Sequence, residues 1–239
     1  MKTKNKVLLI LTCMCLIVAT TVMATMAYLA DEDTVVNTFT VGNVDLKLDE
    51  AAVNLDGTEI AGADRVQGNK YHLLPGKTYT KDPTVTVLKN SEECYVRMLV
   101  TLNCKSKLDA MLDPGVDLKT IFNGYDQTTW AYKTEKIDTS ADTVTYEFRY
   151  AGTGTTPDPT PGTFGGAAYD IQLPALFTSF KVPESLDGDD LAKLQDNPET
   201  TEVEPSFTIT VVAHAIQAEG FADADVAWTA FDAQMQTQP

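Results

Sequence analysis

Two stretches restrict this 239-residue chain more than any others. In "CYVRMLVTLNC", Cys94, Val96, Met98, Val100, Leu102 and Cys104 alternate with Tyr95, Arg97, Leu99, Thr101 and Asn103. In "TVTYEFRY", Val144, Tyr146, Phe148 and Tyr150 alternate with Thr143, Thr145, Glu147 and Arg149. Successive strand side chains point to opposite faces, so this period of two describes strands with one face in a core. A helix would scatter the same apolar residues around its circumference.

The signal recurs along the chain. Val35 to Phe39 and Val41 to Leu48 read as two strand segments, with Gly42 as a bulge or bend. Strand patterns return at Thr78–Leu88, in "LFTSFKV" and in "SFTITVVAHAIQAEG". "TTWAYKTEKI" and "TVTYEFRYA" form a hairpin about "DTSAD". "SKLDAML" and "GVDLKTIF" read as short helices. "LDGDDLAKLQDNP" is a short helix capped by Asp187 and ended by Pro198. "ADADVAWTAFDAQMQ" is a helix capped by Asp223, with Ala224, Trp228, Phe231 and Met235 on one stripe. Residues 151–166 form a Pro/Gly/Thr loop, with no boundary signal strong enough to split the chain. Strands outnumber helices and do not alternate with them, which disfavours a parallel βαβ sheet. The fold expected is mainly β, an antiparallel two-sheet jelly-roll-like sandwich with a few short peripheral helices, spanning residues 28–239 as a single domain.

Ahead of that domain, Lys2, Lys4 and Lys6 precede an uncharged run from Val7 to Met26. A positive n-region, an apolar h-region and small residues at its end make residues 1–27 a signal peptide, cleaved between Ala27 and Tyr28. The rival is an uncleaved membrane anchor, since the run approaches the ~20 residues of a spanning helix. Thr20, Thr21 and Thr25 weaken it. Cys13 and Cys15 lack the preceding small residue of a lipoprotein site, and no Leu-Pro-x-Thr-Gly sorting signal occurs. Membrane contact is therefore expected only through the uncleaved leader. Cleavage takes three lysines from the chain's 18 basic residues, against 34 acidic ones, and moves the formal net charge from −16 to −19. Such a charge argues against nucleic acid and anionic membrane surfaces.

The mature chain keeps Cys94 and Cys104. On a straight strand their ten-residue separation is roughly 33 Å, while a disulfide needs Cα atoms within about 7 Å. They read as buried free thiols.

Signals for chemistry are weak. His72 and His214 are the two histidines, with no His-x-x-x-His or Cys-x-x-Cys spacing, so no metal or cofactor is expected. No serine sits in a Gly-x-Ser-x-Gly context. "LADED" and "LDGDDL" lack the alternating oxygen ligands of a Ca²⁺ loop. Tyr125, Trp130, Tyr132, Tyr146 and Tyr150 fit either a sugar-stacking platform or ordinary cross-strand and core pairs.

The segment 28–48 remains. A strand tethered near a free amino end pairs either with its own sheet or with a neighbouring subunit's. Repeated without closure, the second choice makes a filament. In "MAYLADEDTVVNTFTVGNVDLKLDE", Ala27-Tyr28-Leu29 is followed by the acids Asp31 to Asp33, then Asn37-Thr38-Phe39, Gly42 and Asp45-Leu46. This start resembles the camelysin/TasA-like family, biofilm-matrix fibre proteins of Gram-positive bacteria. "LLPGKTYTKDPTVTVLKN" and "CYVRMLVTL" resemble that family's Leu-x-Pro-Gly turn and next strands. "AHAIQAEGFADADVAW" is similar to members from clostridia-type gut bacteria. The likeness covers the leader to about Leu102 and the part from about Leu176, and leaves the middle uncovered.

The resemblance implies processing by a dedicated signal peptidase, a jelly-roll fold and export to the extracellular matrix or cell surface. It also implies self-assembly into fibres by strand donation, with accessory or anchoring matrix proteins as further partners. Donor duty would fall on Val35, Phe39, Val41, Val44, Leu46 and Leu48. Leu29 stands where an aromatic residue is common in the family. Some members are described as metalloproteases, but zinc-protease spacing is absent from this sequence. The expected function is a non-enzymatic fibre subunit. The alternatives are a monomeric adhesin or glycan-binding module and, behind it, a metal-dependent protease.

Overall fold

The apolar face of "CYVRMLVTL" lies in the hydrophobic core of the described residues. In the computed structural model, residues 43–113, 117–151, 166–194 and 206–237 are described. The chain divides into two compact units, Met1–Val41 and Gly42–Pro239, and every described residue falls in the second. The strands run in order as β1 (Leu46–Asp49), β2 (Thr78–Thr80), β3 (Thr84–Val87), β4 (Cys94–Leu102) and β5 (Phe122–Asn123). They continue as β6 (Trp130–Asp138), β7 (Thr143–Tyr150), β8 (Ile171–Gln172), β9 (Ser179–Lys181) and β10 (Ile209–Gln217). The α-helices are α1 (Lys105–Met111), α2 (Gly188–Lys193) and α3 (Ala224–Thr237), and a 3-10 turn covers Leu118–Ile121.

These strands form three antiparallel sheets, ordered β10-β4-β7-β6, β1-β3-β8 and β2-β9-β5. The fold is mainly β with few short helices, as its alternation predicts. The Thr78–Leu88 pattern, continuous as sequence, is cut in two. Pro83 has no N–H to offer a ladder, and β2 and β3 on either side of it join different sheets.

In the four-stranded sheet, β4 pairs with β7 from Arg97↔Arg149 to Leu102↔Val144, and with β10 from Cys94↔Gln217 to Leu102↔Ile209. Cys94, Val96, Met98, Val100 and Leu102 are buried against Val144, Tyr146, Phe148 and Tyr150 in one core cluster. Each buried Val, Leu, Met or Phe among them contributes roughly 1.5–3 kcal/mol. The β6–β7 hairpin turns at Asp138, whose carboxylate accepts from the Ser140 and Ala141 amides (2.9 and 3.0 Å). Its aromatic residues point inward: Trp130, Tyr146 and Tyr150 are buried and Tyr125 is half-buried, leaving Tyr132 as the exposed one. A flat five-ring stacking platform is not presented to solvent.

Two helix starts follow their signals, while "GVDLKTIF" gives only the 3-10 turn with Phe122 already in β5, and the expected stop at Pro198 lies outside the described residues. Asp187 forms a capping box with Asp190 at the start of α2. Asp223 accepts from the Val226 amide at 2.9 Å ahead of α3. On the α3 stripe Ala224 and Trp228 are buried, but Met235 is 51% exposed, because the helix runs on past the face it covers. Cys94 and Cys104 are both buried and neither is in a disulfide, and burial pushes the Cys94 thiol up to about 11.

Candidate docking groove

An open sheet edge is the most reactive backbone feature a β-protein carries. Strand β10 ends the four-stranded sheet, and among the described residues no strand pairs with its outer side. Asn103 N donates to Thr208 O and Ala218 N donates to Glu93 O, which puts the even-numbered residues of β10 in the hydrogen-bonded pairs with β4. The N–H and C=O groups of Ile209, Val211, Ala213 and Ala215 therefore point to the open side. Their side chains pack half-buried on the core, while Thr210 and Val212 face solvent. The edge is closed at its start, where Phe207 N donates to Leu194 O at 2.8 Å.

Beside this edge lies a groove of about 630 Å³. Residues 206–211 form one wall and residues 67–71 and Leu73 the other; Leu48 to Glu50, Lys81, Pro83 and Phe180 complete it. Its lining is mostly apolar, with Leu48, Tyr71, Leu73, Phe180, Phe207 and Ile209 contributing.

A charged group is built into the apolar lining. Lys81 Nζ donates to Glu50 Oε2 at 2.6 Å, and both side chains are more than nine-tenths buried. Asn69 Nδ2 donates to Glu50 Oε1 and to the Ala51 carbonyl, both at 2.8 Å, while its Oδ1 accepts from Val53 N at 3.0 Å. Both Asn69 amide protons are thereby used. On Lys81, two of the three ammonium protons have no partner among the described residues. Next to this group Arg65 bridges Asp49 (2.5 Å) and Asp82 (2.8 Å) and donates to Thr84 Oγ1 (2.9 Å), tying the end of β1 to the start of β3. Burial raises the Asp49 carboxyl pKa, but bonds from Lys47 and Arg65 outweigh it and hold the group below its ordinary value.

The anticipated donor residues divide. Leu46 and Leu48 belong to β1, paired antiparallel with Val87 and Val85 of the same chain, and Val44 packs on the same core. These three are engaged within the subunit. Val35, Phe39 and Val41, the Ala27–Tyr28 bond and the 151–166 loop (apart from Ala151 and Gly166) lie outside the described residues. The groove itself was not foreseen. Its signal was present in the Phe207, Ile209, Val211 alternation, but an edge is a property of strand order, which alternation does not encode.

Among the described residues no three His, Cys, Asp or Glu side chains gather as a metal site. His214 lies on β10, where its Nδ1 accepts from Arg97 Nε at 3.3 Å and its ring lies against Phe231. No helix among the described residues is long and apolar enough to cross a membrane. No family model, curated protein or solved structure matches the chain.

Proposed function

We propose that this protein is an exported structural subunit of biofilm-matrix or cell-surface fibres, camelysin/TasA-like, with a jelly-roll-like sandwich fold. A signal peptidase cuts at Ala27–Tyr28, and the freed N-terminal strand of one subunit pairs with the sheet of the next. The observation carrying this reading is the mostly apolar groove beside the edge of β10, which no strand among the described residues pairs. An added strand gains main-chain hydrogen bonds from Ile209 and Val211 and places alternate side chains in the groove. Because Leu46–Asp49 is held in its own sheet, the donated part is Val35 to Val41. The role is structural rather than catalytic.

The test is to express the full-length chain in a secreting Gram-positive host, sequence the amino end of the exported protein and image it by electron microscopy. Protein beginning at Tyr28 and forming filaments is the expected result. Deleting residues 34–41 should leave a folded, secreted monomer. Filaments that persist after that deletion would rule out strand donation by this segment.

A further inference from the structure

The charged group in the groove has the composition of a reaction centre. Glu50 directly follows β1, Lys81 directly follows β2, and Asn69 lies in the loop between them. The Glu50 carboxylate gives one oxygen to each of the other two. Its Oε2 accepts from Lys81 Nζ at 2.6 Å and its Oε1 from Asn69 Nδ2 at 2.8 Å. A primary amine and a carboxamide thus share one carboxylate. We propose that Lys81 and Asn69 join as an intramolecular isopeptide bond, with Glu50 as the proton carrier. Such a bond forms whether or not the subunits assemble into fibres.

Three observations support the link. First, the participating segments are fixed before any reaction. Glu50 pairs with Val66 through both backbone groups at 2.8 Å. Ala51 N donates to Asp82 Oδ1 at 2.6 Å, and the Tyr71 hydroxyl donates to Thr80 O at 2.9 Å. Holding nucleophile and target together makes a bimolecular step effectively unimolecular. Second, each reacting group has its helper. A general base works within about 2.6–3.2 Å of the proton it takes, and Glu50 lies within that reach of both nitrogens. Asn69 Oδ1 accepts from Val53 N at 3.0 Å, a fixed donor where negative charge develops on attack at Cγ. Ala51 O accepts from Nδ2 at 2.8 Å and orients the leaving group. Third, the proton count favours the product. The Lys81 and Glu50 side chains are more than nine-tenths buried. As an ammonium, Lys81 keeps two protons without partners among the described residues, a cost in a buried site. As a secondary amide, Nζ carries a single N–H, and Glu50 is already placed to accept it.

The step balances without a co-reactant. Nζ passes a proton to Oε2, which leaves a neutral amine and a neutral acid, the forms that an apolar surrounding penalises least. The Nζ lone pair attacks Asn69 Cγ, and the carbonyl electron pair moves onto Oδ1 beside the Val53 N–H. Glu50 gives its proton to Nδ2. The Oδ1 pair then re-forms the carbonyl, the Cγ–Nδ2 bond breaks, and ammonia leaves with the second Nζ proton as ammonium. A lysine ammonium and a primary amide have become a secondary amide and a free ammonium ion. The ring so closed runs from Asn69 to Lys81 and includes Tyr71 and Tyr79, whose rings pack on each other and on Phe180. The link fixes this loop to the core as a disulfide of the same span would, with no dependence on redox conditions.

The test purifies the full-length chain, denatures it, digests it with trypsin and reads the peptides by tandem mass spectrometry. A branched peptide is expected: Val66–Lys70 joined through Asn69 to Thr78–Lys89, uncut at Lys81 and lighter than the sum of its parts by the mass of ammonia. Lys81→Arg keeps a cation beside Glu50 and should give only linear peptides. Glu50→Gln keeps the shape and removes the proton carrier, so branched product sampled soon after synthesis should fall about a hundredfold. Linear peptides alone from the unsubstituted protein, with normal cleavage after Lys81, would overturn the proposal, and this readout needs no variant to fold. Loss of ammonia without the branched peptide would overturn it too, since a succinimide at Asn123–Gly124 gives the same mass change. Persistence of the branch in Lys81→Arg would remove Lys81 as the nucleophile. Equal rates of linkage in Glu50→Gln and the unsubstituted protein would reject Glu50 as the carrier.

Discussion

The guanidinium of Arg97 on β4 donates to Asp232 on α3 at 2.5 Å while its plane lies over the indole of Trp228, 4.4 Å from the ring centroid. Arg97 is 3% exposed although it sits on the face of β4 opposite the core. Helix α3 covers it. Glu147 at 3.7 Å and the His214 ring complete the surroundings. A strand residue that alternation assigns to solvent is thus the point by which the C-terminal helix is held.

Removing the carboxylate tests that point. Asp232→Asn keeps the shape but gives up the charge-assisted bonds to Arg97. Asp232 is half exposed, so the expected loss is about 1–2 kcal/mol. It is checked by urea unfolding, with a red shift of Trp228 emission preceding the main transition. An unchanged midpoint and spectrum would show that packing alone holds the helix.

Acid should loosen the same contact in two windows. Burial, then the nearby Arg97 charge, lowers the His214 pKa below 6.5. Folding favours the neutral ring, so this stability is whole above about 6.5 and falls as pH drops from there. The Arg97 bond lowers the Asp232 pKa below 3.8. That contribution is present above about 3.8 and is lost as pH falls through the folded value. The other charges nearby, Glu147, Arg149, Asp225 and Lys133, form their own pairs around α3. Stability followed by thermal unfolding should therefore decline between about pH 6.5 and 5. His214→Gln should flatten that decline and leave the drop below pH 4. A His214→Gln profile that matches the unsubstituted protein would reject the histidine's part.

Cys94 should behave as an inert core residue. Its thiol, pushed up to about 11 by burial, forms about a hundredfold less thiolate near pH 8 than an ordinary cysteine. Native protein should resist iodoacetamide at pH 8 and be alkylated fully in guanidinium, as read by intact mass. Alkylation of Cys94 in native protein at the rate of a free thiol would contradict the buried position.

Gly57 should not accept a side chain. Its φ is +80°, and a Cβ there would lie 2.6 Å from Tyr79 Cδ1 and 2.9 Å from Tyr79 Cα. Tyr79 is fully buried, with its hydroxyl donating to His72 O at 2.6 Å and accepting from Leu74 N at 2.7 Å. Gly57→Ala therefore combines left-handed strain with overpacking and should cost about 2–4 kcal/mol. Gly62 also has positive φ but open space around it; Gly62→Ala should cost only about 1 kcal/mol. Equal destabilisation of the two variants would refute the steric half of the argument.

Much of the described architecture was legible in the chain. The β4 and β7 alternations name the core residues because a strand face repeats every two residues whatever surrounds it. Asp187 and Asp223 mark helix starts because a cap acts within one turn. Legibility ended where long-range partners decide. Thr78–Leu88 looked like one strand, but its halves joined separate sheets on either side of Pro83. Leu46 and Leu48 looked as fit for a neighbour's sheet as for their own, and the Val85 and Val87 pairing is what engaged them.

The sequence by itself determined which residues prefer to be buried and with what period, since hydrophobicity and backbone geometry act over a few neighbouring residues. Tertiary structure alone decided which strand ends a sheet among the described residues, that Lys81 and Glu50 meet inside a mostly apolar groove, and that Arg97 lies under a helix. Each of those depends on segments tens of residues apart or more being brought together, and the free energy of such contacts exists only once the chain has closed the loops between them.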